Sequence, residues 1–481
     1  MGFFYGFVFA VGLLGGLPNV SRAAETETRA WKKMDATAPS YFVPVGQGRW
    51  LEVQENGSTF RFDETSNRPG QVELLDRGRR IRIHLRDEYA ELSQNGQPLR
   101  RWVSGSWTPP GELPEYARAA SIDHRVRLIY LVPTDRQPTA NYEAKIRTLM
   151  TVANSVYQEE FRRRHWSDRG LLFEEDASGE PLVHLIRGKH EAAYYSGAPN
   201  YDFHQQYRRL QEEIPAHIGT PSTHLIVAFL ETYDVGPHKF EWPGGVALGG
   251  RLSADGGLGI FSSWILRDEF CATSIAEQRK LFQDETPIEG RTAHGHGGKN
   301  SPRFEFIEDG FGAVIHEVGH ALGLPHDQRD DRHYIMGNGF RILRNNFDPA
   351  TPWDRKARFS DDNARILAVS RHLNPKADLG DQEPPTVEAV LTPTETAGRY
   401  RLKLQAADNT ALAAALFFDE TIQSVTSGSA LEGTEVDEIF EVSLKRDEGS
   451  QQVKLRVDVA DQGGQITTTR VKLDVPEISG T

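Results

Sequence analysis

The sequence predicts a multi-domain protein. A central α/β (α+β) domain with a mixed, twisted sheet is flanked by an N-terminal all-β module and a C-terminal immunoglobulin- or fibronectin-like β-sandwich. Three observations carry this expectation. Val126 to Val132 (VRLIYLV) is a nearly continuous apolar run, the pattern of a strand covered on both faces. Residues 41–110 and 387–477 instead alternate apolar and polar positions, as half-buried strands do. Thr108-Pro109-Pro110-Gly111 and the stretch 376–386 (KADLGDQEPPT) break the chain between these regions, the second reading as a linker.

Composition narrows the classes. The chain has 481 residues, of which 38% are apolar, and a net charge of −13. That length allows two to four domains, and the charge argues against binding nucleic acid or an anionic membrane. The lone cysteine, Cys271, rules out an intramolecular disulfide framework and leans towards a bacterial type of exported protein. It reads as a small buried hydrophobe rather than a thiolate that blocks a metal. Phe3 to Leu17 is apolar but shorter than the roughly 20 residues a membrane span needs. Small residues follow at Ser21-Arg22-Ala23-Ala24, so residues 1–23 are predicted to be a signal peptide and the protein to be secreted or periplasmic. No Lys or Arg precedes the run, which keeps a retained N-terminal anchor as the alternative. The mature chain is expected to have no membrane span.

The elements follow in order. Residues 25–40 are polar and expected to be irregular. In 41–110, Phe60 and Phe62 alternate with Thr59 and Arg61, and Ile81, Ile83 and Leu85 with Arg80, Arg82 and His84. Asn56-Gly57 and Asn95-Gly96 are hairpin turns, giving five or six antiparallel strands. This module is either a removable pro-domain or a permanent accessory domain.

The central domain is expected over 118–375. After the first strand, Ile146, Leu149, Met150, Ala153, Val156 and Tyr157 recur at helical spacing within 141–161. Strand 182–186, helix 201–214 and strand 223–230 complete a βαβαβ layout with right-handed crossovers. A Gly-rich stretch, 242–250, and a strand, 257–265, come next. Residues 284–303 read as a mobile polar loop, and His294 and His296 within it as solvated side chains. A helix over about 308–322 buries Phe311, Val314, Ile315, Val318, Ala321 and Leu322. Ser360 caps a closing helix over 361–373. In the C-terminal region, Val453, Leu455, Val457 and Val459 alternate with charged residues, and a turn at Asp461-Gln462-Gly463-Gly464 leads to a second such strand.

The chemistry sits at His316-Glu317-Val318-Gly319-His320-Ala321-Leu322-Gly323-Leu324-Pro325-His326. Residues four apart on a helix share a face, so His316 and His320 can aim at one point. Neutral imidazole is a good zinc ligand. Glu317 follows the first ligand directly, the place for a general base beside the metal. Gly323 ends the helix, Pro325 prevents its resumption, and the chain turns to present His326 as a third ligand. Three protein ligands leave zinc an open position, which a catalytic site needs and a structural site lacks.

H-E-x-x-H-x-x-G-x-x-H, followed by Met336 in Tyr334-Ile335-Met336-Gly337, resembles the signature of the metzincin zinc metallopeptidases (matrixin/reprolysin-like) with its Met-turn. The specific part of the resemblance is confined to 316–336. It implies a zinc-dependent endopeptidase with one catalytic Zn²⁺, held by His316, His320 and His326, and with Glu317 as general base. Met336 forms the apolar floor, and Val246, Ala247 and Leu248 an antiparallel edge strand that pairs with a protein or peptide substrate; the alternative for 246–248 is a Gly-rich surface hairpin. Asp327, directly after the third histidine, resembles a structural Asp of the reprolysin branch; the alternative is a surface Asp in an acidic stretch. The short His326–Met336 interval and the missing disulfides depart from that branch. Two other classes stand beside this one: a non-peptidase zinc hydrolase, and an adhesion or matrix-binding protein whose zinc domain has lost activity. Surface or matrix binding through the β modules is an added role. The sequence supports no calcium requirement, cleavage-site preference or activation route.

Overall fold

The computed structural model describes residues 29–34, 39–46, 48–55, 59–118, 120–166, 168–200, 202–235, 240–241, 247–294, 298–446 and 452–474. The proposed signal peptide, the Asn56-Gly57 turn, Val246 and His296 fall outside these residues.

The N-terminal module is a closed barrel of eight antiparallel strands running from Ala30–Lys33 to Arg100–Thr108. This corrects the expectation of five or six strands, and Ala30–Lys33 is a strand where an irregular segment was expected. Ala30–Lys33 pairs with Ser40–Gly46 on one side and with Arg100–Thr108 on the other, which closes the ring. Trp31 from this strand fills the barrel core with Phe42, Phe62, Leu74 and Leu85. Closure removes both sheet edges. The barrel is fastened to the next domain by Arg61, which pairs with Asp255, and by a hydroxyl contact between Thr59 and Ser222.

The central domain is built on a five-stranded sheet. Its elements are β1 (Val126–Val132), α1 (Tyr142–Arg163), β2 (Val183–Arg187), α2 (Phe203–Glu213), β3 (Leu225–Leu230), β4 (Ala247–Ser253), β5 (Gly256–Ser262), α3 (Ile275–Phe282), α4 (Arg303–Ala321) and α5 (Asp361–Val369). The sheet order is β2-β1-β3-β5-β4. β2, β1, β3 and β5 are parallel, and β4 pairs antiparallel with β5 at the edge. β1 and β3 are buried along their whole length, as their almost wholly apolar sequences favour; the exception is the buried Arg127 of β1. On one face of the sheet, α1 and α4 share a core with Tyr130, Val227 and Phe229. On the other face α2 packs Leu210 against Ile129, Ile226 and Ile260.

Several elements differ from the sequence reading: α5 ends at Val369 rather than 373, and β5 at Ser262 rather than 265. α4 starts at Arg303, about five residues earlier than expected, because Pro302 takes extended geometry at its N-cap and the helix begins directly after it. α3 has no counterpart among the expected elements. Its start carries Ser274, whose side chain accepts from the Glu277 amide, a capping pattern of Ser followed three residues later by Glu. Within 284–303, the described residues are tied by hydrogen bonds from Ile288 to Ser301 and from Ser301 to Arg291.

The C-terminal region has seven strands: β6 (Thr386–Pro393), β7 (Arg399–Ala407), β8 (Leu412–Asp419), β9 (Ser424–Ala430), β10 (Glu435–Ser443), β11 (Gln452–Asp461) and β12 (Ile466–Asp474). They form two antiparallel sheets, β6-β7-β10 and β9-β8-β11-β12. Leu402, Leu404, Phe417, Leu455 and Val457 fill the space between them. The second sheet also packs on the central domain. Ala414, Leu416, Phe418, Val425 and Ala460 belong to the same core as Ile366 and Leu367 of α5.

Cys271 is buried at 1% exposure, and its sulfur lies 3.4 Å from the Lys145 carbonyl. Burial pushes the thiol up to about 12. The native protein is therefore expected to resist Ellman's reagent at pH 8 and to react fully once unfolded, since the thiolate is the reactive form. Rapid labelling of the native chain would contradict this packing.

Candidate metal centre

α4 is covered on nearly every side, and none of its residues is fully exposed. Phe311, Val314, Ile315 and Val318 lie in the core, and Tyr157 of α1 donates a hydrogen bond to the Ile315 carbonyl at 2.9 Å. The helix end is set by Gly323 at φ 103°, a left-handed value that glycine tolerates. The Leu324 amide bonds the Gly319 carbonyl at 3.0 Å and the Gly323 amide the His320 carbonyl at 2.9 Å, closing a Schellman-type end.

That turn brings three imidazoles together. Each of His316, His320 and His326 offers a ring nitrogen within 4.8 Å of the others. His316 is buried, His320 half-buried and His326 exposed, so the cluster opens on the His326 side. Two of the rings are held from behind. His316 Nδ1 lies 2.6 Å from the Ile335 carbonyl and His320 Nδ1 lies 2.7 Å from the Leu324 carbonyl. A carbonyl can only accept, so both Nδ1 atoms carry the proton and both Nε2 atoms present lone pairs. Those Nε2 atoms are 3.1 Å apart. Two lone pairs at that distance repel unless a cation lies between them and a third donor, and this is the fit expected of a metal ligand set with its carbonyl partners. Burial lowers the proton affinity of all three histidines, His320 to about 4, with neighbouring rings adding to it at His316 and His320. They are therefore neutral near pH 7, as ligands must be.

Glu317 lies under β4. Burial pushes its carboxyl up to about 7, and the Gly249 amide, which bonds to it, pulls the other way. β4 can lie this close only because residue 249 has no side chain. A Cβ there would overlap the Glu317 carbonyl oxygen. Ala247 and Leu248 sit on the same strand, which is the antiparallel edge of the sheet and lies against α4.

The segment after the third histidine is clamped to the helix. The Asp327 amide bonds the Met336 carbonyl at 2.9 Å, next to the Ile335 carbonyl that receives His316. Met336 is fully buried, and its sulfur packs on Gly319, between His316 and His320 in sequence. Asp327 is not at the surface. It is fully buried and bound through both oxygens to Arg329, which also pairs with Asp362 of α5. Phe340, not singled out from the sequence, stands edge-on to His316 with ring centres 5.2 Å apart.

A cavity of about 690 Å³ opens beside His320 and His326. One wall is β4 from Gly249 to Ser253, and the floor includes Gly323 to Pro325. The opposite wall comes from the C-terminal sandwich: Phe418, Glu420, Arg456, Thr468 and Arg470. Arg456 pairs with Asp458 at 2.6 Å and Arg470 with Glu420 at 2.7 Å. Motif reasoning could not find this wall, because it lies far from the histidines in sequence. The sandwich also reaches the third histidine: the Val425 amide bonds the His326 carbonyl at 2.9 Å.

Residues 132–368 match the family model Metallopep, described as "Putative peptidase family". No curated protein matches the chain. Among solved structures, the chain resembles catalytically inactive OgpA from Akkermansia muciniphila in complex with an O-glycopeptide (glycodrosocin) substrate. That likeness has a TM-score of 0.50 at 13% identity, over 73% of this chain and 92% of that one. Wild-type OgpA matches equally, with a TM-score of 0.50 at 13% identity over 73% and 93% of the two chains. At this identity the likeness is one of fold. The family match spans the stretch that carries all three histidines, and together they support a metallopeptidase.

Proposed function

We propose that the chain is a zinc-dependent endopeptidase of metzincin type. The observation that carries this reading is the convergence of three imidazoles, two with Nε2 lone pairs fixed from behind, next to a buried carboxylate at the edge of a large cleft. His316, His320 and His326 hold the ion, and Met336 packs beneath them. Zinc supplies Lewis acidity towards the scissile carbonyl and makes a nearby water easier to deprotonate. Glu317 takes the proton from that water and delivers it to the leaving amine. Its raised proton affinity suits both halves of that transfer. The β4 edge, including Ala247 and Leu248, binds the substrate backbone as an added strand. Val246 would extend the same edge. Residues 1–23 direct export in this proposal.

The polar side chains around the cleft favour one substrate refinement. A peptide carrying a bulky polar group fits a cavity of about 690 Å³ lined by Glu420, Arg456, Thr468 and Arg470. An O-glycopeptide is such a ligand.

The purified protein is expected to contain about one zinc and to cleave casein or a peptide library, with plain and O-glycosylated peptides assayed side by side. His320→Ala should lose both the metal and the activity. Zinc binding without cleavage of any peptide would favour the non-peptidase hydrolase. Failure to bind zinc would overturn the proposal.

A further inference from the structure

A second cluster of potential ligands lies outside the catalytic centre. Asp381 belongs to the segment between α5 and β6, Asp408 to the turn after β7, and Asp461 ends β11. One carboxylate oxygen from each lies within 4.8 Å of the others. Asp381 is 3% exposed and Asp461 fully buried. The partners are unevenly spread. Asp381 Oδ2 accepts from Thr410 Oγ1 at 2.7 Å. Asp408 Oδ1 accepts from the Thr410 and Ala411 amides at 2.9 Å each. Asp461 Oδ1 accepts from the Gln465 amide at 2.8 Å. Oδ2 of Asp408 and Oδ2 of Asp461 are buried and have no hydrogen-bond partner.

The charge of Arg371 acts on Asp461 but does not resolve this. Arg371 directs its guanidinium to the Gly463 carbonyl at 2.6 Å, to Asp255 at 2.8 Å and to the Asp381 carbonyl, not to the three carboxylates. Three acidic groups thus converge, and two of them keep a buried oxygen without a partner, a costly arrangement. Burial, then the charges of Asp381 and Asp408, push Asp461 up to about 7. Either a proton or a metal ion must relieve the repulsion.

We propose that Asp381, Asp408 and Asp461 bind a calcium ion that fixes the C-terminal sandwich to the central domain. The donors are all hard oxygens, which select Ca²⁺ or Mg²⁺ over zinc. Burial favours Ca²⁺, because it accepts irregular protein cages, whereas Mg²⁺ keeps several waters. The ion would join the segment after α5 to two turns of the sandwich. One of these turns continues through Gly464, whose carbonyl accepts from Arg251 of β4 at 3.2 Å, into Gln465 and Ile466, which line the catalytic cleft. Calcium would therefore set the position of the cleft wall.

The test uses the full zinc-loaded chain, freed of calcium on a chelating resin, with equilibrium dialysis of radioactive Ca²⁺ and thermal melting. About one Ca²⁺ should bind with a Kd below ~1 mM, the range of extracellular calcium modules. Saturating Ca²⁺ should raise the melting temperature by about 3 °C or more, and equal Mg²⁺ should not. Asp408→Asn and Asp461→Asn, which change different elements, should each weaken uptake at least tenfold and keep their zinc. No saturable uptake by the unmodified chain, uptake unaffected in a folded variant, or tighter uptake of Mg²⁺ would overturn the assignment. The binding readout is independent of peptidase activity, so its failure leaves the catalytic proposal standing.

Discussion

Glu317→Ala is expected to retain about one zinc per chain and to lose at least two orders of magnitude in cleavage rate, the scale of a lost general base. The physical ground is the separation of tasks on α4. The His316 and His320 imidazoles are anchored by the Ile335 and Leu324 carbonyls, and neither anchor involves Glu317. Removing the carboxylate therefore leaves the ligand geometry in place. It also removes an ionisable group held under β4 by burial. The measurement is zinc content by atomic emission beside initial rates on one peptide. Unchanged rates would eliminate Glu317 as the base. Joint loss of metal and activity would mean that the residue supports the ligands rather than the proton transfer.

Gly249→Ala is expected to destabilise the central domain by about 3 kcal/mol or more, at the upper end of overpacking costs. Its added methyl would overlap the backbone carbonyl oxygen of Glu317. Both atoms belong to rigid elements, a strand and a helix, so no side-chain rotation relieves the clash. Either β4 lifts from α4 or the helix shifts, and each moves the histidines relative to the cleft edge. Gly250→Ala is the matched control. Its methyl meets only the Tyr207 ring and hydroxyl, with the nearest atom at 3.1 Å. It should cost well under half as much. Chemical denaturation of both variants checks the difference, and equal midpoints would show that the strand can yield at no cost.

The parts of the molecule that are legible in the sequence are those whose signals are local. The helix carrying His316 and His320 follows from 3.6-residue periodicity, and Gly323 marks its end within one turn. β1 and β3 are recognisable because burial on both faces leaves almost no polar positions. One strand of the shortfall arises because the closing strand is four residues long, AWKK, and shows no alternation. Its pairing with Arg100–Thr108 spans the whole module and leaves no mark on nearby residues. α3 does leave one, in Ser274 and Glu277, a cap that apolar periodicity alone passes over. The wall of the cleft and the Asp381, Asp408 and Asp461 cluster depend on contacts between distant segments, which composition and spacing do not encode.

The bond from the Val425 amide to the His326 carbonyl carries a thermodynamic consequence. The third histidine sits on a turn whose backbone is held partly by the sandwich, through this bond and through Ser424, which accepts from the Gln328 amide at 2.8 Å. Occupancy of the three imidazoles and integrity of the sandwich are therefore linked functions, and the linkage is reciprocal. An ion that favours the assembled turn raises the unfolding temperature of the C-terminal strands. Mutations that loosen β9 should in turn accelerate metal loss, although no residue of that strand belongs to the proposed ligand set.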